Sequence, residues 1–130
     1  MFNKPVYEII RGPQTEKLSC YVSNTDHSFG TENSIEWLLE LGFKAVKLLL
    51  REGPDAGLPG LNRTEELVAK TREQVGPDVE IAVDCWMSMN TDYMVRLAET
   101  LRPYKIKWLE EYMLPEDMDS YFNLRQRIPY

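Results

Sequence analysis

Apolar positions along this chain fall into short runs separated by polar, glycine- and proline-bearing breaks, and two periods alternate, one of strands and one of helices. The opening KPVYEII reads as a helical turn stopped at Gly12 and Pro13. LSCYV, residues 18–22, is rich in strand formers and predicts a first strand, with SNTDHSFG as the loop after it. Thr31 or Asn33 is placed to cap a helix through SIEWLLEL, where Ile35, Leu38, Leu39 and Leu41 share one side and Gly42 supplies the stop. FKAVKLLL, residues 43–50, predicts a buried second strand, and the glycines and prolines of REGPDAGLPG predict a loop. Asn62 and Glu65 have the spacing of a capping box, so a second helix is expected through RTEELVAKTREQV to Gly76. VEIAVD, residues 79–84, is a β-branched third strand; Asn90 or Thr91 then opens the helix TDYMVRLAETL, which Pro103 ends. KIKWLEE, residues 105–111, repeats the strand pattern, and MDSYFNLRQRI repeats the helix pattern with Tyr121, Leu124 and Ile128 on its apolar side.

The strands recur every roughly 25 to 35 residues, the length of a strand, loop, helix and return turn. The expected class is therefore α/β, four consecutive βα units whose right-handed crossovers make all four strands parallel. Two architectures satisfy this: a small open doubly wound sheet, or about half of a TIM-type barrel, which typically needs ~250 residues.

Composition narrows the partners. The 130 residues, 43% hydrophobic, suffice for one compact domain. A net charge of −6, from 15 Lys and Arg against 21 Asp and Glu, gives no basic footprint for nucleic acid or an anionic membrane. No window reaches the ~20 apolar residues of a membrane span, so the expected location is cytoplasmic. Cys20 and Cys85 are too few for a disulfide framework or a zinc site, and both lie in apolar runs where a buried thiol is ordinary. No GxGxxG or GxxxxGK[ST] occurs, which argues against dinucleotide and P-loop sites.

In either architecture chemistry collects at the carboxyl ends of the strands. There the second strand carries Lys47, the third ends in Asp84, and the fourth ends in Glu110 and Glu111. Alternation groups Ala82 with Asp84 and Ile106 with Trp108 and Glu110 on one face, leaving Ile81, Val83, Cys85 and Leu109 for the helices. Two carboxylates converging on neighbouring strands repel unless a cation lies between them, and a hard divalent ion such as Mg²⁺ suits oxygen donors. Equally, Glu110 and Glu111 can be solvated loop acids, with Asp84 capping a turn toward Ser88 or Asn90. Lys47 is either a snorkelling lysine or a buried charge beside that acid pair. His27 sits in the loop after the first strand, where an isolated histidine is usually solvated. CWMSM, residues 85–89, lines a pocket or fills the core.

VDCWMS, followed by IKWLEEYMLPEDMDSYFNLRQRIP, resembles the enolase superfamily, and in its mandelate-racemase-like branch it looks most like the L-rhamnonate dehydratase group. PVYEII, LSCYVSN and LGFKAVKLLLREGPDAG resemble the same family in the same order, so the likeness covers essentially the whole chain. The resemblance implies a (β/α)₇β barrel preceded by a capping domain, with residues 1–16 as the lead-in from that domain and 17–130 as the first half of the barrel. It implies Asp84 and Glu110 as two of three Mg²⁺ ligands, the third coming from the next strand. Many such relatives carry a Lys-x-Lys pair whose second lysine is a base; here Lys47-Leu48-Leu49 lacks it, and a later-strand histidine is expected instead. WLEEYMLP departs from the more usual acid-acid-proline form by placing Tyr112 after Glu111. The implied reaction is abstraction of the proton α to an acid-sugar carboxylate, with Mg²⁺ and Lys47 stabilising the enediolate, then loss of the β-hydroxyl to a 2-keto-3-deoxy acid. A homo-oligomer is expected of the full-length protein. With two ligands and no base, the chain alone should not turn over. The other readings are a non-catalytic half-barrel remnant serving as a structural or interaction module, and a self-contained open-sheet binding domain without metal.

Overall fold

The structure is a computed structural model that describes residues 3–12, 15–24, 34–128 and 130. His27, Thr31 and Asn33 lie outside the described residues. Four parallel strands, β1 (Val22–Asn24), β2 (Ala45–Leu49), β3 (Glu80–Asp84) and β4 (Leu109–Glu110), form one sheet in the order β1-β2-β3-β4. Helix α1 (Val6–Ile10) precedes the sheet, and α2 (Ser34–Glu40), α3 (Gly57–Val75), α4 (Thr91–Leu101) and α5 (Met118–Arg127) each follow a strand. This is the predicted succession of four βα units.

Burial alternates along β2 as the strand period requires, whereas β3 is buried on both faces from Ile81 to Asp84. Val46, Leu48 and Leu50 of β2 and its end, with Ile81 and Val83 of β3, join Ile35 of α2, Val68 of α3, Leu97 of α4 and Leu124 of α5 in one apolar cluster. The opposite parity on β2, Ala45, Lys47 and Leu49, is only half-buried. Asn90 caps α4 by accepting from the Tyr93 N–H at 2.9 Å, and Gly42, at φ 89°, ends α2 in a conformation that disfavours side chains with a Cβ.

Several boundaries differ from those read off the sequence. β1 begins at Val22, not Leu18, because pairing decides it. Val22, Ser23 and Asn24 stand opposite Val46, Lys47 and Leu48, and backbone bonding is indifferent to side-chain polarity. Leu18, Cys20 and Tyr21 stay exposed, which corrects the expectation of a buried Cys20 thiol. Leu41 is exposed too, past the last turn of α2. α3 begins at Gly57, ahead of the Asn62–Glu65 box, with no side-chain cap. Pro59 is tolerated in a first turn, whose N–H groups need no helical acceptor. Buried Leu61 then anchors that turn to the core. Regular β4 shrinks to two residues, and Lys105, at φ 53°, ends the 3-10 turn of Arg102–Tyr104 that precedes it. Lys107 nevertheless donates to Ile81 O at 2.7 Å, and Trp108 O accepts from Val83 N–H at 3.1 Å.

Candidate functional site

Parallel pairing puts Leu49 opposite Asp84 and Asp84 opposite Glu110, so three strand ends meet in one row. Lys47, two residues before Leu49, rises from the same face of β2 toward both acids. Its Nζ lies 2.7 Å from Glu110 Oε1 and 3.1 Å from Asp84 Oδ2. The Lys47 and Asp84 side chains are each 12% exposed and that of Glu110 28%, so the triad is recessed but open on one side. Burial alone would lower the Lys47 pKa, yet the hydrogen bonds and charges of Glu110 and Asp84 outweigh it and hold the ammonium firmly protonated. Glu110 is held below the usual carboxylate range, first by the Lys47 hydrogen bond and then by that of Trp108.

The outer oxygens of both acids are tethered. Trp108 Nε1–H donates to Glu110 Oε2 at 3.0 Å, and the Trp86 backbone N–H donates to Asp84 Oδ1 at 3.1 Å. Asp84 thus caps the turn after β3 with one oxygen and meets Lys47 with the other. Neither Ser88 nor Asn90 is its partner, since the Ser88 hydroxyl donates to Cys85 O and Asn90 caps α4. Tyr21 completes the surroundings, its ring centroid 5.6 Å from Lys47 Nζ and edge-on to Trp108 at 5.5 Å.

Past the strand ends the loops stay zipped: Met87 N–H donates to Glu111 O at 2.5 Å and Met89 N–H to Tyr112 O at 3.0 Å. Trp86, Met87 and Glu111 take φ values of 50°, 58° and 46°, left-handed backbone in three non-glycine residues beside the acid pair. Such strain concentrates at functional sites. Of CWMSM, Cys85 and Met89 enter the core while Trp86 is 68% exposed. Met87 and Met89 border a cleft of about 220 Å³ that runs to Met113 and Leu114.

Glu111 is exposed and stands apart from the triad. Tyr21 and Trp108 had no role in the sequence reading, although Trp108 shares the face of Glu110 by its two-residue spacing. Among the described residues no three His, Cys, Asp or Glu side chains gather, so Asp84 and Glu110 form a pair, not a full ligand set. No helix of the described residues is long and apolar enough to cross a membrane.

The chain as a whole is similar to known proteins. The L-rhamnonate dehydratase of Saccharopolyspora erythraea is 40% identical over 126 residues, covering 97% of this chain and 30% of the relative. The crystal structure of L-rhamnonate dehydratase from Gibberella zeae superposes with a TM-score of 0.82 at 34% identity, covering 96% of this chain and 30% of that one. A second Gibberella zeae structure, rhamnonate dehydratase complexed with Mg, gives a TM-score of 0.80 at 33% identity, covering 95% of this chain and 28% of that one. The chain thus spans about 30% of the length of these relatives. The family model of the enolase C-terminal domain-like proteins matches residues 31–130. With its four parallel βα units standing as part of a TIM-type barrel, this chain belongs to the enolase C-terminal domain-like family.

Proposed function

We propose that residues 17–130 are the first four βα units of a Mg²⁺-dependent acid-sugar dehydratase barrel of the L-rhamnonate dehydratase kind, with residues 1–16 leading in from a capping domain. The observation that carries this reading is the convergence of Asp84 and Glu110 on one point, where their facing oxygens lie 3.1 and 2.7 Å from a single cation, the Lys47 ammonium. Two carboxylate oxygens aimed at one cation position suit a hard divalent ion. Asp84 and Glu110 would hold Mg²⁺, and the reading assigns a third oxygen donor and the base to later strands.

A bound Mg²⁺ supplies positive charge against the negative charge that grows on a substrate carboxylate as its α-proton departs. Lys47 adds a second cation on the same sheet face, in a recess where its attraction is screened less than in water. Trp86 N–H and Trp108 Nε1–H fix both acids before any ligand arrives. Leu49 occupies the register position across from Asp84 and cannot accept a proton, so the α-proton goes to a base outside the four strands. The β-hydroxyl would then leave as water, taking the proton the base received, and the enol so formed would tautomerise to a 2-keto-3-deoxy acid.

The test has two arms. Calorimetric Mg²⁺ titration of the chain should show weak binding that Asp84→Asn and Glu110→Gln abolish. The product of the complete reading frame should convert L-rhamnonate or a related acid sugar with Mg²⁺ and lose at least ~10³-fold in kcat with either variant. Mg²⁺ binding that survives both substitutions would overturn the site.

A further inference from the structure

Each acid of the pair has one oxygen tied to the protein and one turned to Lys47. Asp84 Oδ1 accepts from Trp86 N–H at 3.1 Å and Glu110 Oε2 from Trp108 Nε1–H at 3.0 Å, so each of these oxygens already has a protein donor. The remaining two, Asp84 Oδ2 and Glu110 Oε1, are the ones the Lys47 ammonium bridges. They are also the oxygens that a divalent cation between the acids needs. Two cations crowded onto the same pair of oxygens repel, so the ammonium and the metal are alternatives. Two facing carboxylates with neither cation are costly in turn, and the Lys47 ammonium offsets that repulsion.

Resting on the Mg²⁺ reading above, we propose that Lys47 is the resident counter-ion of the metal-free site and that a divalent cation binds by displacing its ammonium. Displacement has a direction. The lysine stem is flexible, and the Tyr21 ring, 5.6 Å from Nζ, offers the released head an aromatic face. Until the metal arrives Lys47 is engaged by two carboxylates; afterwards it is available to an anionic ligand. The site therefore loads in order, cation first and substrate carboxylate second.

Amine labelling of the wild-type chain, read by peptide mass spectrometry with and without saturating Mg²⁺, tests this directly. Lys47 should label slowly without the metal and several-fold faster with it, while exposed Lys44 and Lys105 keep their rates. Lys47→Met removes the competitor and should tighten Mg²⁺ binding at least about tenfold in calorimetry, the equivalent of one charge-assisted hydrogen bond that no longer has to break. Lys47 labelling that is unchanged or slowed under bound Mg²⁺ overturns the displacement, and so does Lys47→Met binding no tighter. If Asp84→Asn leaves Mg²⁺ binding intact, the cation lies elsewhere and the underlying reading falls with the inference. If Asp84→Asn abolishes binding while Lys47 stays protected, the displacement alone falls.

Discussion

Trp108 shows how much a single side chain can decide at this site. Its indole N–H holds Glu110 Oε2, and with Lys47 it keeps the Glu110 pKa low. A carboxylate whose folded pKa is depressed contributes stability that is present above its unfolded value and lost as pH falls through the folded one. Trp108→Phe removes one donor to a partly exposed charge, so the expected loss is about 1 kcal/mol at neutral pH. By urea denaturation that difference should shrink as pH falls through the depressed folded pKa of Glu110 and vanish once Glu110 is protonated in both proteins. A difference that persists in acid would mean that Trp108 acts through packing alone. Cys85 behaves oppositely to Cys20. Burial, reinforced by the charges of Asp84 and Glu110, pushes the Cys85 thiol up to about 12, whereas Cys20 is exposed. A thiol-disulfide reagent should titrate one thiol quickly in the native chain and the second only on unfolding. Two fast thiols would show that Cys85 is not in the core.

At the scale of an element, the start of α3 is set by a close approach that the capping signals do not contain. A Cβ on Gly60 would stand 2.4 Å from Ala56 Cβ, 3.1 Å from Tyr93 Oη and 3.2 Å from Glu52 Oε2. The Ala56 methyl is fixed to the backbone and cannot swing away. Alanine normally gains about 1 kcal/mol over glycine inside a helix. Here Gly60→Ala should instead destabilise by about 1–3 kcal/mol, the usual range for overpacking, as measured by chemical denaturation. A stabilised variant would show that the first turn of α3 has room to shift. The far end of α3 is tied differently: Arg72 donates to Tyr104 O at 3.0 Å, Gly76 O at 2.9 Å and Val79 O at 2.6 Å. One side chain thus satisfies carbonyls in the two connections that lead into β3 and β4, at the pole opposite the acids.

For the whole molecule the open question is what meets the sheet on its unpaired sides. In this structure β1 and β4 are edge strands, and Leu18, Tyr21, Trp86, Leu114 and Phe122 are exposed. Free strand edges and clustered apolar side chains favour association. The 130-residue chain expressed by itself should therefore self-associate, eluting in size-exclusion chromatography ahead of a 15.2 kDa monomer and binding 8-anilinonaphthalene-1-sulfonate. A monodisperse monomer that leaves the dye dark would refute this.

The alternation of apolar and polar positions by itself determined the order of elements, the parallel βα class and the shared face of Ala82 and Asp84, because side-chain period is a local property of strands and helices. Asn90 was equally readable, since a cap needs only its own helix. Resemblance in VDCWMS, KWLEE and FKAVKLLL singled out Asp84, Glu110 and Lys47, where spacing alone slightly favoured solvated acids and left a snorkelling lysine open. Tertiary structure decided the rest. Only the register of neighbouring strands could bring Lys47 of β2 within 3.1 Å of acids on β3 and β4. Only pairing could cut LSCYV and KIKWLEE down to Val22–Asn24 and Leu109–Glu110. Only packing could start α3 at Gly57 and recruit Tyr21 and Trp108 around the triad. Those outcomes depend on distances between segments far apart in the chain, which no local pattern of residues encodes.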